Sequence, residues 1–315
     1  MENPKTNAQP KEAQNSFSEA FLQRKGSVPR AGFEPATTFI LEKKRLKRDL
    51  EEFKLFALAK LNLSRETVKH YVRRVKAFLE GKSVVSDRDV QLYIAEKKQT
   101  CKPDYVSNII SAFKAYFRDF KGYPFMNGYK HPSGPLKLKE EIEPEKVKQF
   151  IEALDDLTVK CIAVLLASSG LRKSEVWNLR KSDVDRGLRA IIPNCHSGET
   201  KHSGISFYNL EAEKVLEEYL AKEKGLQNSE RLFVIGHERF LRAWNKARMK
   251  SGVYLKPKDL RDFFSQEMGK ALIPDRFIDI FQGRAPKNVL AKHYTPQGIR
   301  LLREIYDKAN LKILS

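Results

Sequence analysis

Ser168-Ser169-Gly170-Leu171-Arg172-Lys173-Ser174-Glu175 closes one run of apolar residues and opens another. The segment before it, Cys161-Ile162-Ala163-Val164-Leu165-Leu166, is apolar all round, as in a buried helix. Gly170 can stop such a helix, and Ser174 can cap the next. Arg172 then stands at a helix junction, not on an exposed helix face. Its planar guanidinium suits two non-bridging oxygens of one phosphate. An isolated arginine there would read first as a surface residue capping a helix.

Downstream, short strands are expected at Ala190-Ile191-Ile192 and Gly204-Ile205-Ser206-Phe207, with Gly198 and Glu199 to His202 at the turn between them. Lys258-Asp259-Leu260-Arg261 puts two cations three residues apart, on one helix face, where both reach the same anion. Phe263 and Phe264 after them read as core. Gly283-Arg284, then Lys292-His293-Tyr294-Thr295, precede a helix-like tail from Gln297 to Leu311. A phenol can attack a phosphodiester when cations balance the phosphorane-like transition state and an acid protonates the leaving sugar oxygen. Basic residues and one late tyrosine are suited to that chemistry without a metal.

Upstream of the buried helix, Pro144 suits a helix start and Val147, Phe150, Ile151 and Leu154 have helical spacing. Tyr123 to Leu138, with Pro124, Gly128, Pro132, Gly134 and Pro135, reads as a linker. From Leu61 to about Met126 the pattern is helical and basic. Ser64 is the expected N-cap of a first helix, with Val68, Tyr71, Val72, Val75, Phe78 and Leu79 as its apolar stripe. Arg65, Lys69, Arg73, Arg74 and Lys76 fall on its other faces. A second helix runs from Ser86 or Asp87 through Val90, Tyr93 and Ile94; a third carries Tyr105, Val106, Ile109, Ile110, Phe113 and Phe117, with Lys114 and Arg118 outside. Such charged faces suit either a nucleic-acid surface or plain solvation.

Phe39 to about Lys60 reads as one helix, with Phe39, Leu46 and Phe53 at sevens and Leu50 and Ala57 on the adjoining seam. That is too short for a coiled-coil assignment and fits an oligomerisation segment or an ordinary amphipathic helix equally. Residues 1–38 are a polar tail expected to be disordered. The resulting division is 1–38, 39–60, a helical domain over 61–126, a linker over 127–141, and a mainly α domain with a small sheet over 142–315.

The 315 residues carry 59 Lys and Arg against 40 Asp and Glu, a net charge of +19 that suits a polyanionic partner. No long apolar run spans a membrane, and the polar N-terminus is unlike a secretory signal. Cys101, Cys161 and Cys195 have no metal-ligand spacing and suit a reducing compartment, with Cys161 in the core. Asp183 and Asp185 read as a helix cap before they read as a magnesium pair. No metal or cofactor is expected.

Gly170-Leu171-Arg172-Lys173-Ser174-Glu175 with Leu179 and Ser182-Asp183-Val184-Asp185, Lys258-Asp259-Leu260-Arg261, Gly283-Arg284 and Tyr294, in that order, resemble the tyrosine recombinase (phage integrase) family. Leu63-Ser64-Arg65-Glu66-Thr67-Val68-Lys69-His70-Tyr71 resembles the opening of that family's core-binding domain. The resemblance covers roughly residues 61 to 311. It implies a helical core-binding domain followed by an α+β catalytic domain, with Arg172, Lys201, Lys258, Arg261 and Arg284 as catalytic cations, Tyr294 as nucleophile and Glu175 as their support. Lys201 falls where the family has its β-hairpin lysine, which can protonate the leaving oxygen; His202 is the alternative. Lys258 stands where the family has histidine, and Arg284 where it has histidine or tryptophan. Both exchange a titratable or hydrogen-bonding group for a fixed cation.

The resemblance further implies double-stranded DNA as partner, a tetramer on paired sites, and a place in the cytoplasm of a host cell, at its nucleoid. A type IB topoisomerase and a non-catalytic DNA-binding protein on the same scaffold are the alternatives. Gly32-Phe33-Glu34-Pro35-Ala36-Thr37 can be encoded with GTTCGAACCC inside it, the T-arm consensus of transfer-RNA genes. An attachment site within the gene is how integrases of archaeal spindle-shaped viruses are arranged; a chance peptide is the other reading.

Overall fold

The computed structural model describes residues 39–40, 43–82, 84–134, 138–193, 204–222, 229–284 and 298–315. It is mainly helical, with a two-stranded and a three-stranded antiparallel sheet. Two compact units divide it: residues up to Phe53 with Tyr71–Pro132, and Lys54–His70 with Ser133–Ser315.

In the N-terminal half, β1 (Phe39–Ile40) precedes α1 (Lys43–Ala59) and α2 (Arg65–Leu79), then β2 (Val84–Val85), α3 (Asp87–Thr100) and α4 (Pro103–Phe113). Ser64 Oγ accepts the Thr67 N–H at 3.3 Å, the expected cap of α2. Val68, Val75, Phe78 and Leu79 of its stripe are buried. Ser86 and Asp89 close α3 reciprocally, Asp89 N–H to Ser86 Oγ at 3.3 Å and Ser86 N–H to Asp89 Oδ2 at 2.7 Å. After α4 the chain widens into a π-helix, Lys114–Phe120, which buries Tyr116 and Phe117.

Two expectations change here, and one left open is decided. Phe39–Ile40 is not helical but pairs with Val84–Val85 across a long stretch of chain, a partnership no local periodicity encodes. The seam of α1 is taken up internally: Leu50 is buried, and Phe53, fully buried, meets Tyr116 edge-on at 5.1 Å and Phe120 at 5.6 Å. The start of the presumed linker is folded onto its own unit, where Pro124–Gly128 forms a 3-10 turn with Met126 buried. Tyr129 then donates to Asp87 Oδ1 at 2.5 Å, and His131 Nδ1 lies 3.0 Å from Ser107 Oγ.

In the second unit, α5 (Pro144–Glu152) starts on its proline as expected, and α6 (Leu157–Ser169) is capped by Asp156, which accepts the N–H groups of Thr158 and Val159 at 3.1 and 3.2 Å. Helix α6 is buried over nearly all its length and packs against α8 (Leu210–Lys222) and α10 (Pro257–Lys270). Each fully buried aliphatic or aromatic side chain there contributes about 1.5–3 kcal/mol. Cys161 is in this core, and burial pushes its thiol far up. Gly170 ends α6 at φ +64, and a Cβ there would sit 2.3 Å from the Phe264 ring, so glycine is required twice over. The remaining helices are α7 (Lys173–Trp177), α9 (His237–Ser251), α11 (Asp275–Phe281) and α12 (Ile299–Lys308).

The sheet runs β3 (Val184–Asp185), β4 (Ala190–Ile191), β5 (Ser206–Phe207), with Val184 opposite Ile191 and Ala190 opposite Phe207. Both expected strands are present; β3 was not expected, because two residues show no alternation. Asp183 does cap, but a short 3-10 turn, Lys181–Asp183, by accepting the Arg180 N–H at 2.8 Å.

Candidate active site

The junction between α6 and α7, one face of α9, the first turns of α10 and the residue after α11 line one cleft of about 760 Å³, with Arg172, Lys173, Lys258, Arg261 and Arg284 among its walls. Glu175, only 3 % exposed, lies under it. Its Oε2 accepts the Arg172 N–H at 2.6 Å and its Oε1 the Arg172 Nη1 at 2.6 Å. Glu175 therefore does the capping that Ser174 was expected to do, because the helix starts at Lys173 and Ser174 falls inside it. Arg172 Nη2 reaches the Gly283 carbonyl at 3.4 Å, so the guanidinium is fixed from two directions.

Arg261 is 8 % exposed and its hydrogen bonds go to backbone carbonyls: Nη1 donates to Gly170 O and Nη2 to Gln282 O, both at 2.8 Å. Burial first, and then repulsion from Arg172, pull its pKa down to about 10; the Glu175 carboxylate, 3.9 Å away, opposes the shift. The group remains a cation at neutral pH. Gln282 returns the contact through Nε2 to Arg261 O at 3.0 Å. Sequence reasoning missed Gln282; the signal was an uncharged polar residue directly after the apolar pair Ile280-Phe281. Lys258 projects exposed from α10, one turn before Arg261. Arg284, half exposed, pairs with Asp279 at 3.6 Å, and its N–H caps the end of α11 on Asp279 O at 2.8 Å.

Arg172, Glu175, Lys258, Arg261 and Arg284 are thus brought together. Lys201, with its alternative His202, and Tyr294 lie outside the described residues. Of the tyrosines C-terminal to Arg284, the described one is Tyr306, which is 2 % exposed and donates to Ser168 O at 2.8 Å; burial pushes its pKa far up, which makes it a core residue.

The other candidate cations sort by environment. Arg65, Lys69, Arg73 and Lys76 are exposed on α2. Arg74 is half-buried with its guanidinium 5.6 Å from the Tyr105 ring centre. Lys114 and Arg118 are half-buried in the π-helix, Arg118 in a two-point pair with Asp119 at 2.6 and 3.1 Å. Among the described residues no three His, Cys, Asp or Glu side chains form a group that could hold a metal, and no helix is long and apolar enough to cross a membrane.

Arginines and lysines gathered around one cleft suit an anionic group such as a phosphate. The model of the phage integrase family matches residues 140–297. Tyrosine recombinase XerA of Pyrococcus horikoshii is 28% identical over 272 residues, covering 83% of this chain and 93% of the relative. Among solved structures, a lambda integrase dimer bound to a COC′ core site superposes with a TM-score of 0.58 at 14% identity, over 79% of this chain and 94% of that one. A lambda integrase tetramer bound to a Holliday junction gives 0.58 at 15% identity, over 78% of each chain. These last two are likenesses of fold. The chain belongs to the phage integrase family. It is a tyrosine-type recombinase, an enzyme of site-specific DNA recombination.

Proposed function

We propose that this recombinase is a viral integrase that breaks and rejoins double-stranded DNA through Tyr294. Tyr294 gives up its phenolic proton to solvent, and its oxygen forms a bond to the scissile phosphorus while the bond to the 5′ oxygen breaks, leaving a 3′-phosphotyrosine and, once that oxygen is protonated, a 5′-hydroxyl. Arg172 and Arg261 hold the non-bridging oxygens, Lys258 and Arg284 add charge and hydrogen bonds, and Lys201 protonates the departing oxygen. Glu175 positions Arg172. Because the phosphodiester energy stays in the protein–DNA bond, religation needs no ATP. The observation that carries this reading is the convergence of Arg172, Lys258, Arg261 and Arg284 on one cleft. The burial of Tyr306 supports Tyr294 as nucleophile, since it gives the other late tyrosine a core role.

In the same reading residues 61–126 form the core-binding domain, 127–141 the linker and 142–315 the catalytic domain, with a tetramer joining two duplexes as in the lambda integrase assembly on a Holliday junction. Gly32–Thr37, whose codons can carry the T-arm consensus, supports a place among integrases of archaeal spindle-shaped viruses that target a host transfer-RNA gene.

The test is a nicked suicide duplex spanning a transfer-RNA gene, incubated with protein in EDTA. A denaturant-stable covalent adduct is expected, lost in Tyr294→Phe and reduced when the T-arm sequence is scrambled. Adduct that persists in Tyr294→Phe moves the nucleophile elsewhere, and equal adduct on scrambled DNA removes the transfer-RNA target.

A further inference from the structure

Lys173 follows Arg172 directly, yet the two side chains serve different neighbours. Arg172 turns to Glu175 and the Gly283 carbonyl. Lys173 lies over aromatic rings, its Nζ 4.4 Å from the centre of Phe240 and 5.2 Å from that of Trp177. Among the described residues its ammonium has no carboxylate partner and no hydrogen bond. Burial lowers its pKa. Its cation nonetheless lines the same cleft as Arg172, Arg261, Lys258 and Arg284.

A lysine usually keeps its ammonium in water. Here the ammonium has lost part of its hydration and gains in return only the faces of two rings. The rings also restrict the lysine rotamers, so the charge has a defined position. Such a group is poorly compensated until an anion enters the cleft. Asp262, the acid lining the cleft, is engaged by Lys139 at 2.7 Å and does not supply that anion.

We propose that Lys173 is a further DNA-binding residue of this site, contacting a backbone phosphate that flanks the one held by Arg172 and Arg261. This rests on the reading of the cleft as the strand-cleavage site. Two adjacent residues would then grip two positions along one strand, the arginine at the reacting phosphate and the lysine beside it. The aromatic wall of Phe240 and Trp177 sets the direction of the second grip.

The experiment is a titration of labelled duplex DNA by fluorescence anisotropy at several KCl concentrations, for the unmodified protein, Lys173→Met, Lys173→Arg and, as a control away from the cleft, Lys214→Met on α8. Each lost phosphate contact should lower the slope of log affinity against log salt by about 0.9. Lys173→Met is expected to lose that amount, Lys173→Arg to keep the full slope, and Lys214→Met to leave it unchanged. A slope in Lys173→Met equal to that of the unmodified protein overturns the proposal, whether or not affinity falls, since a lysine that only braces the rings would alter stability without releasing counterions. A similar loss in Lys214→Met also overturns it, because the effect would then be one of net charge. Failure of the underlying reading shows separately, as an absence of covalent adduct from the unmodified protein in the same preparations.

Discussion

Arg261 is both a buried donor and a cation, and the two roles can be separated by substitution. Removing it leaves the carbonyls of Gly170 and Gln282 without their donors. An unsatisfied buried polar group costs about 1–3 kcal/mol. Arg261→Ala and Arg172→Ala should therefore both remove most cleavage and lower the melting temperature, the first by leaving two carbonyls without donors and the second by leaving the buried Glu175 carboxylate without its 2.6 Å partner. Both should keep much DNA affinity, because many other cations carry non-specific attraction; calorimetry and anisotropy on the two variants check this. Lys258 tests the departure from histidine. With no imidazole at that place, single-turnover cleavage is expected to rise towards alkaline pH as the phenol ionises. Lys258→His should remain partly active and Lys258→Ala should be poorer, since alanine removes charge and donor together. Equal rates for Lys258→Ala and the unmodified protein would show that this position is not catalytic.

Between elements, the site depends on close backbone approach. A Cβ on Gly204 would stand 2.3 Å from the Ile280 carbonyl oxygen and 3.1 Å from Gly283 Cα. Gly204→Ala must then push the start of β5 away from the turn that carries Arg284, and a drop in adduct of at least about tenfold is expected from a misplacement of this kind. Near-unmodified circular dichroism alongside that drop would place the effect at the site, and full activity would show that the turn can yield. Outside the cleft lining, Asp155 bridges Lys250 at 2.7 Å and Lys246 at 2.9 Å, which holds its carboxyl at about 2 instead of 3.8. The sign follows from linkage: this carboxylate's contribution is present above its unfolded pKa and is lost as pH falls from about 4 towards 2. Asp155→Asn should therefore flatten the acid limb of the melting curve in that window.

The same elements show what could be read from sequence. Helices α5, α6 and α10 and the strands β4 and β5 declare themselves through continuous or periodic apolar residues and through Pro144 and Gly170. Arg172, Lys258, Arg261 and Arg284 were legible because each stands beside a helix stop or on one helix face. What stayed hidden depends on remote partners: β1 on Val84–Val85, the burial of α1's seam on Tyr116, and Gln282 on a contact with the backbone of Arg261.

Over the whole molecule, the charge of +19 sets how strongly DNA is held, but the exposed cations do not count equally. Arg73 and Lys76 are exposed on α2, whereas Arg74 leans on Tyr105. The double variant Arg73→Ala, Lys76→Ala should weaken binding and lower its salt slope by about 1.8, two contacts' worth, leaving cleavage of bound DNA intact. Arg74→Ala should change the slope less. If these variants and Arg172→Ala lose binding equally, the separation of holding from cutting is wrong.

The cationic frame is fastened by the chain's own carbonyls at the ends of two helices, α6 through Gly170 and α11 through Gln282 and Gly283. Folding has therefore already ordered Arg172 and Arg261, the groups proposed to meet the reacting phosphate. Little freedom remains to be lost on the way to the transition state. Cleavage rates followed over temperature should give an activation entropy near zero, with the barrier almost wholly enthalpic. Arg261→Lys, which cannot span both carbonyls, should make that entropy clearly negative.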